Sequence, residues 1–243
     1  MTGQLVWTEL KLLTREPLVL VFSLAFPVTM MVLLLVSFGG ETSPVFGGGD
    51  GTVFYVTAYL AAAIAVLGFM GTPAHLAAYR DSGVLRRFQA AGLAGRAVAG
   101  SQVVVMAVLA VVGATVQLVI AYTGFDLAAP RDVAGVVTAF AVGVIAFSAL
   151  GTLLGSLLPS ARAAQGVGLV LFFGTFFLVG GGPPPGRLPA AVNTVAGYTP
   201  TGLLVDSIRR PWLGDGNDLT ALGLLAALAA VAWVLAIRRL GRS

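Results

Sequence analysis

The chain has no cysteine, one histidine (His75) and one lysine (Lys11) among its 243 residues. The missing cysteines exclude disulfides, thiolate metal sites and cysteine nucleophiles, and one histidine is too few for an imidazole-based metal centre. A phosphate-binding P-loop needs a lysine directly after its glycines, whereas Lys11 lies in the sequence ELKLLT. We therefore expect this chain to bind no metal or other cofactor and to hydrolyse no ATP.

Charged residues are also scarce, at 10% of the chain against about 25% in a typical soluble domain, and hydrophobic residues reach 58%. A helix needs about 20 apolar residues to cross the hydrocarbon of a bilayer, and six runs are long enough. Their expected bounds are roughly 17–38, 53–78, 98–122, 134–158, 163–181 and 218–237. The predicted fold is an all-α integral membrane protein, with one transmembrane domain over residues 1–243.

The interiors of these six spans contain no Asp, Glu, Lys or Arg, and Asp218 stands only at the edge of the last one. Carriers driven by protons or sodium ions generally place an ionisable group near the middle of the membrane. Membrane hydrolases need a nucleophile with a base, paired carboxylates or metal ligands. We therefore expect no catalytic residues, and an ion-driven carrier is disfavoured.

Basic residues are distributed unevenly between the two sides of the membrane. Ten lie on the side of both termini: Lys11, Arg15, Arg80, Arg86, Arg87, Arg96, Arg162, Arg238, Arg239 and Arg242. The other side holds four: Arg131, Arg187, Arg209 and Arg210. Because cytoplasmic loops are rich in Lys and Arg, we expect a multi-pass protein of the cell (plasma) membrane with both termini in the cytoplasm. The polar, proline-containing segment 182–217 then predicts a short external helical hairpin between spans five and six.

Two cytoplasmic segments predict short amphipathic helices. In residues 1–16, Trp7 and Leu10 share an apolar arc, and Lys11 and Arg15 lie on a polar one, which is typical of a helix in the membrane interface. An alternative is that this segment simply extends the first span.

The second such segment covers residues 81–92. It begins at Asp81 or Ser82, which favour a helix start, and ends at Gly92. Its apolar face contains Val84, Leu85, Phe88 and Ala91, while Arg86 and Gln89 point elsewhere. Taken alone, this pattern also fits a positively charged anchor whose apolar face rests on lipid.

Small residues recur every four positions in the fourth span, at Ala139, Gly143, Gly151 and Gly155 around Phe147. The fifth span begins the same way, with Ala164 and Gly168. Such spacing lets helices approach closely in lipid. It favours packing within one chain, with a dimer contact as the alternative.

The order of these motifs resembles that of type-2 ABC exporter permeases, of the daunorubicin-resistance, multidrug or lipid-exporting type. The matching features are the amphipathic N-terminal segment ending in TREP, the loop DSGVLRR after the second span, and the segment from GGPPPGRLP to VDSIRR. Within that segment Tyr198, Thr199 and Pro200 occupy the family's Asn-Pro-like step, and Asp206 and Arg209 occupy its D-x-x-R ending. The resemblance covers essentially the whole chain.

The resemblance implies a mechanism. Two permease chains, identical or siblings, would each dock one copy of a separate P-loop ATPase, which binds the ATP and Mg. Segment 81–92 would be the coupling helix. Val84, Leu85 and Phe88 would sit in a cleft of the ATPase, and Arg86 and Arg87 would form ion pairs on its surface, with Asp81 at the helix start. No nucleic acid is expected as a partner.

Six aromatic residues could face a hydrophobic substrate on its path: Tyr55, Tyr59, Phe172, Phe173, Phe176 and Phe177. The alternative for the phenylalanines is that they face lipid or pack within one subunit. Two other functions remain open from the residues alone. One is a secondary carrier that uses no ATP, and the other is a membrane scaffold or enzyme subunit that transports nothing.

Overall fold

The computed structural model describes residues 24–46, 49–83, 95–182 and 189–241. Within these ranges the secondary structure is helical, apart from turns and one isolated β-bridge between Thr42 and Asp50. The helices are α1 (Phe26–Phe38), α2 (Gly51–Val66), α3 (Thr72–Asp81), α4 (Gly95–Gly124), α5 (Val133–Leu157), α6 (Ala161–Leu178), α7 (Ala190–Gly197), α8 (Pro200–Leu213) and α9 (Leu219–Leu240). A short 3-10 turn, Pro44–Phe46, precedes α2.

Five helices of the described chain are long and apolar enough to cross a membrane. They are Gly51–Asp81, Gly100–Gly124, Val133–Leu157, Ala161–Leu178 and Leu219–Leu240. These helices confirm the all-helical class and match the second to sixth predicted spans. In place of the first span, the described residues contain only α1, whose 13 residues are too few to cross alone. Residues 17–23 of that predicted span lie outside the described ranges.

Local sequence explains where the helices begin. Asp50, Asp132, Ser160, Thr199 and Asp218 each precede a helix, and their side-chain oxygens accept hydrogen bonds from backbone N–H groups of its first turn. Those N–H groups have no partner inside the helix, so capping stabilises the helix start.

The second span is continuous but irregular, because a π-helical turn, Leu67–Gly71, joins α2 to α3. Pro73 has no N–H to donate to the carbonyl of Phe69, four residues earlier, so the regular ladder cannot continue there. The N–H of Thr72 instead reaches back five residues to the carbonyl of Leu67. The span is buried along nearly its whole length and forms the centre of the bundle, with α1, α4, α5, α6 and α8 packed around it.

The row of small residues on α5 packs within the chain, as the sequence favoured. A side chain at Gly143 would collide with Leu204 of α8, and one at Gly151 would collide with the backbone carbonyl of Gly68. A side chain at Gly155 would lie 2.9 Å from Leu76 and 3.0 Å from Pro73 in α3. The glycines therefore let α5 approach the backbone of the second span and the Leu204 side chain of α8.

We expect Asp218→Ala to destabilise the fold by about 1 kcal/mol at neutral pH, because Asp218 caps α9. Its carboxylate accepts from the N–H groups of Thr220 and Ala221, at 3.0 Å each, and pairs with Arg210 at 2.7 Å. The bond from Ala221, helped by Arg210, lowers the pKa of Asp218 below its ordinary 3.8. A lowered folded-state pKa stabilises the fold above the ordinary pKa, and that contribution is lost as the pH falls through the lowered value.

The measurement is thermal unfolding at neutral pH and at a pH below the lowered pKa, where the two proteins should converge. Asp215→Ala is the matched control, because the Asp215 side chain forms no hydrogen bond within the described part of the chain. Equal losses for the two variants at neutral pH would show that the cap contributes nothing specific.

Candidate functional site

The helix bundle has two ends, which are named here by the segments that they carry. The turn end is where α3 stops and the short connection from α5 to α6 lies. The hairpin end is where α7 and α8 lie, between the last two spans.

An aromatic cluster joins the second span to α6. Tyr55, Tyr59, Phe172 and Phe176 are each at most 1% exposed. The rings of Tyr59 and Phe176 are 5.2 Å apart, and the Tyr59 hydroxyl donates a 2.8 Å hydrogen bond to the carbonyl of Gly181. These four candidate path residues thus lie inside a single chain. Tyr59 holds the end of α6 against α2, whereas the ring of Tyr55 contacts Phe38, Phe46 and Phe54.

The other two candidate residues lie closer to the surface of α6. Phe173 is partly buried and contacts Phe26 of α1, with ring centroids 5.4 Å apart. Phe177 is 53% exposed and stacks on Phe173. Phe177 is therefore the candidate aromatic residue that a molecule outside this chain can touch most directly.

The same surface of α6 carries two glycines, Gly166 and Gly174, with open space where a side chain would be. Val170 lies between them and is 72% exposed. In contrast, Gly168 on the opposite face meets the backbone of Phe69 in the π-helical turn. One face of α6 therefore packs at backbone distance inside the chain, and the other is a smooth, open surface.

At the hairpin end, α8 is held to α2 by Arg209. Its Nε donates to Thr57 Oγ1 at 3.2 Å, its Nη2 donates to the carbonyl of Phe54 at 3.2 Å, and its guanidinium lies 4.0 Å from the centre of the Phe54 ring. Desolvation lowers the pKa of Arg209 to about 10, so the group keeps its charge at neutral pH. A charged side chain thus fastens α8 to the central span.

Arg209 also lines a cavity of about 130 Å³ where the end of α6 meets α7 and α8. Leu178 and Val179 form its apolar side, and Asn193 and Asp206 add polar groups. Asp206 is an exposed residue, but the protein around its carboxyl group displaces part of the water, and this desolvation raises the pKa of Asp206, while the nearby Arg209 opposes that rise. Charged and polar side chains therefore line the cavity at the hairpin end, next to the end of α6 that carries Phe177.

At the turn end, Arg80 and Asp81 contact the connection between α5 and α6. Arg80 Nη1 lies within hydrogen-bond distance of three carbonyl oxygens, of Gly155 (3.1 Å), Ser156 (3.0 Å) and Leu158 (3.1 Å). Asp81 Oδ2 accepts from the N–H of Ala161 at 3.4 Å. Asp81 is the last residue of α3, and the α-helix ends there with Ser82 as its C-cap. The prediction that a new helix begins at Asp81 or Ser82 is therefore wrong, because the helix of the second span continues through Asp81.

The remaining predicted coupling residues, Val84, Leu85, Arg86, Arg87 and Phe88, lie outside the described ranges. The same is true of the predicted interfacial residues, which are Trp7, Leu10, Lys11 and Arg15. Their roles stay predictions. In the described part of the chain, no group of three or more His, Cys, Asp or Glu side chains is placed to hold a metal ion.

The model for the ABC-2 family of transporter proteins matches residues 36–238, from within α1 to near the end of α9. The chain belongs to the ABC-2 transporter family. No curated protein matches it. As an ABC-2 membrane subunit it is a multi-pass permease of the transport machinery, and membership implies partnership with an ABC ATPase.

Two residues of this ABC-2 permease have contacts that the sequence did not predict. In the sequence, Arg80 counts only towards the positive charge of its loop, whereas Arg209 is a basic residue of the hairpin and the last residue of the D-x-x-R ending, with no contact predicted for either. A weak signal existed for Arg209, because it stands in a helix whose neighbours Val205, Ile208 and Trp212 are apolar and buried. For Arg80 the sequence contains no such signal, since its partners are backbone carbonyls about 75 residues away.

Proposed function

We propose that this ABC-2 permease is the membrane subunit of an ATP-driven exporter for a hydrophobic or amphipathic compound, a drug or a lipid. The observation that supports this most is the family match over residues 36–238, which includes the described spans except for the last two residues of α9. The uncharged interiors of the spans add a physical reason. They contain no carboxylate to bind a coupling ion, which disfavours an ion-driven carrier and favours an energy source in another chain.

That other chain is a P-loop ATPase, present in two copies, which binds the ATP and Mg, whereas the permease itself binds no cofactor. Its contact is segment 81–92, in which the proposed coupling helix follows the end of α3. Val84, Leu85 and Phe88 insert into the ATPase, and Arg86 and Arg87 pair with acidic groups around them. Asp81, at the end of α3, connects this segment to the bundle.

The working unit is a pair of permease chains, identical or siblings. We place their contact on the open face of α6, because Gly166 and Gly174 allow close approach of a second helix there. The substrate then moves along the adjoining surface, where Phe173 and Phe177 offer aromatic contacts. The buried rings of Tyr55, Tyr59, Phe172 and Phe176 support that surface from behind.

The complex lies in the cell membrane with both termini and the turn end in the cytoplasm, as the positive-inside rule indicates. The hairpin end, with α7 and α8, faces outward, and residues 1–16 lie along the inner interface with Trp7 at headgroup level. Export therefore runs from the turn end towards the hairpin end.

Changing Leu85 and Phe88 together to Asp is expected to abolish co-purification of the ATPase. Placing two carboxylates in an apolar interface should cost at least about 2 kcal/mol, or a roughly 30-fold loss of affinity. The measurement is co-purification from native membranes, followed by ATP-dependent transport in proteoliposomes.

Gln89→Asp is the control, since it adds a carboxylate on the polar face of the same segment and should leave binding intact. If the double variant keeps full ATPase binding and transport, the coupling assignment is wrong. If the unaltered permease transports with no ATPase and no ATP, the protein is a secondary carrier instead.

A further inference from the structure

We propose that Arg80 and Asp81 are positioning residues that make the α5–α6 connection move together with the loop that follows α3. This inference rests on the proposed coupling role of that loop. In this proposal, the two neighbouring side chains transmit a movement of the loop to the fourth and fifth spans.

The contact of Arg80 is made with the C-terminal end of α5. The last carbonyl groups of a helix have no partners within it and carry the negative end of the helix dipole. Arg80 Nη1 lies 3.0 to 3.1 Å from the carbonyl oxygens of Gly155, Ser156 and Leu158. A cation placed against three such oxygens attracts that end of the helix more strongly than a neutral donor would.

Asp81 makes the opposite contact with the next helix. Its carboxylate accepts from the N–H of Ala161, the first residue of α6, where the dipole is positive. Ser160 caps a different group, the N–H of Ala163. Consecutive residues of α3 therefore place a positive charge on the end of one helix and a negative charge on the start of the next.

Close packing of α3 against α5 and α6 limits the relative movement of the three helices around the Arg80 and Asp81 contacts. Gly155 lets α5 lie against Leu76 and Pro73, and Ala164 of α6 packs on Ala74 and Ala77. The end of α3 thus lies between α5 and α6, and only Ser82 and Gly83 follow it within the described part of the chain. Gly83, with φ of +70°, turns the chain immediately afterwards in a conformation that favours glycine.

The functional test uses the permease–ATPase complex in proteoliposomes and measures substrate transported per ATP hydrolysed. We expect Arg80→Gln to lower this ratio by roughly tenfold, a usual size for coupling between sites, while ATPase binding and hydrolysis persist. Arg80→Lys should restore much of the ratio, because it keeps a cation near the three carbonyls. Arg162→Gln is the control, since Arg162 is exposed and cytoplasmic in the proposed orientation but makes no hydrogen bond within the described ranges.

A second test needs no ATPase and so separates this inference from the proposed function. The chain has no cysteine, so spin labels can be placed at Ser82→Cys and Pro159→Cys, both exposed. Arg80→Gln is expected to broaden the distance distribution between the labels, whereas Arg80→Lys and Arg162→Gln should leave it narrow.

Three results would overturn the proposal. One is an unchanged label distance in Arg80→Gln. Another is that Arg80→Gln transports as much substrate per ATP hydrolysed as Arg162→Gln does. The third is equal damage from Gln and Lys at position 80, which would indicate a requirement for arginine's shape in folding. Absence of any ATPase from the unaltered complex would instead overturn the proposed function, and the label distances would still test the contact.

Discussion

Gly168→Ala is expected to destabilise the permease by about 3 kcal/mol or more, the upper part of the usual range for overpacking. The new methyl group would collide with the carbonyl oxygen of Phe69, and it would lie 2.9 Å from the carbonyl carbon of Phe69 and 3.1 Å from Met70 Cα. All three are backbone atoms of the π-helical turn, so no side-chain rotation can make room. Either α6 or the central span must move.

The measurement is thermal unfolding of the purified variant, together with its yield in the membrane fraction. Gly223→Ala is the matched control, because a side chain at this exposed position in α9 would meet no atom within 4 Å. Replacing that glycine should be neutral or stabilise the helix by up to about 1 kcal/mol. Similar unfolding temperatures for the two variants would show that α6 does not contact the π-helical turn at backbone distance.

Arg209→Gln should destabilise the fold by roughly 3 kcal/mol, because it removes charge-assisted hydrogen bonds and a cation–π contact at once. The lost partners are Thr57 Oγ1, the carbonyl of Phe54 and the Phe54 ring, all on the central span. Arg209→Lys should recover only part of the loss, since an ammonium group cannot reproduce the planar fork of the guanidinium.

Arg210 provides the comparison for this prediction. It pairs with Asp218 at 2.7 Å, but its side chain is 48% exposed, and an exposed ion pair contributes about 1 kcal/mol or less. Arg210→Gln should therefore lower the unfolding temperature much less than Arg209→Gln, under identical lipid or detergent conditions. Equal effects would mean that Arg209 does not anchor α8 to the second span.

Much of the candidate site could be located from the sequence, but the contacts of its residues could not. The six aromatic residues of the proposed path were found by composition and position. Their burial was not predictable, because the free energy of an apolar ring in a membrane helix is similar whether the ring faces lipid or protein. The structure separates Phe177, which is exposed, from Tyr55, Tyr59, Phe172 and Phe176, which are enclosed.

By itself, the sequence determined that the chain is a helical membrane protein and where its second to sixth spans lie. These properties depend on the length of uncharged runs and on which residue types are present, so they need no tertiary contacts. Only the tertiary structure decided that the second span is the centre of the bundle, that Gly151 and Gly168 approach its π-helical turn, and that Arg80 and Arg209 bind distant backbone carbonyls. Lipid offers no hydrophobic drive to bring helices together, so close packing and a few polar contacts select the arrangement, and neither is visible until the helices are assembled.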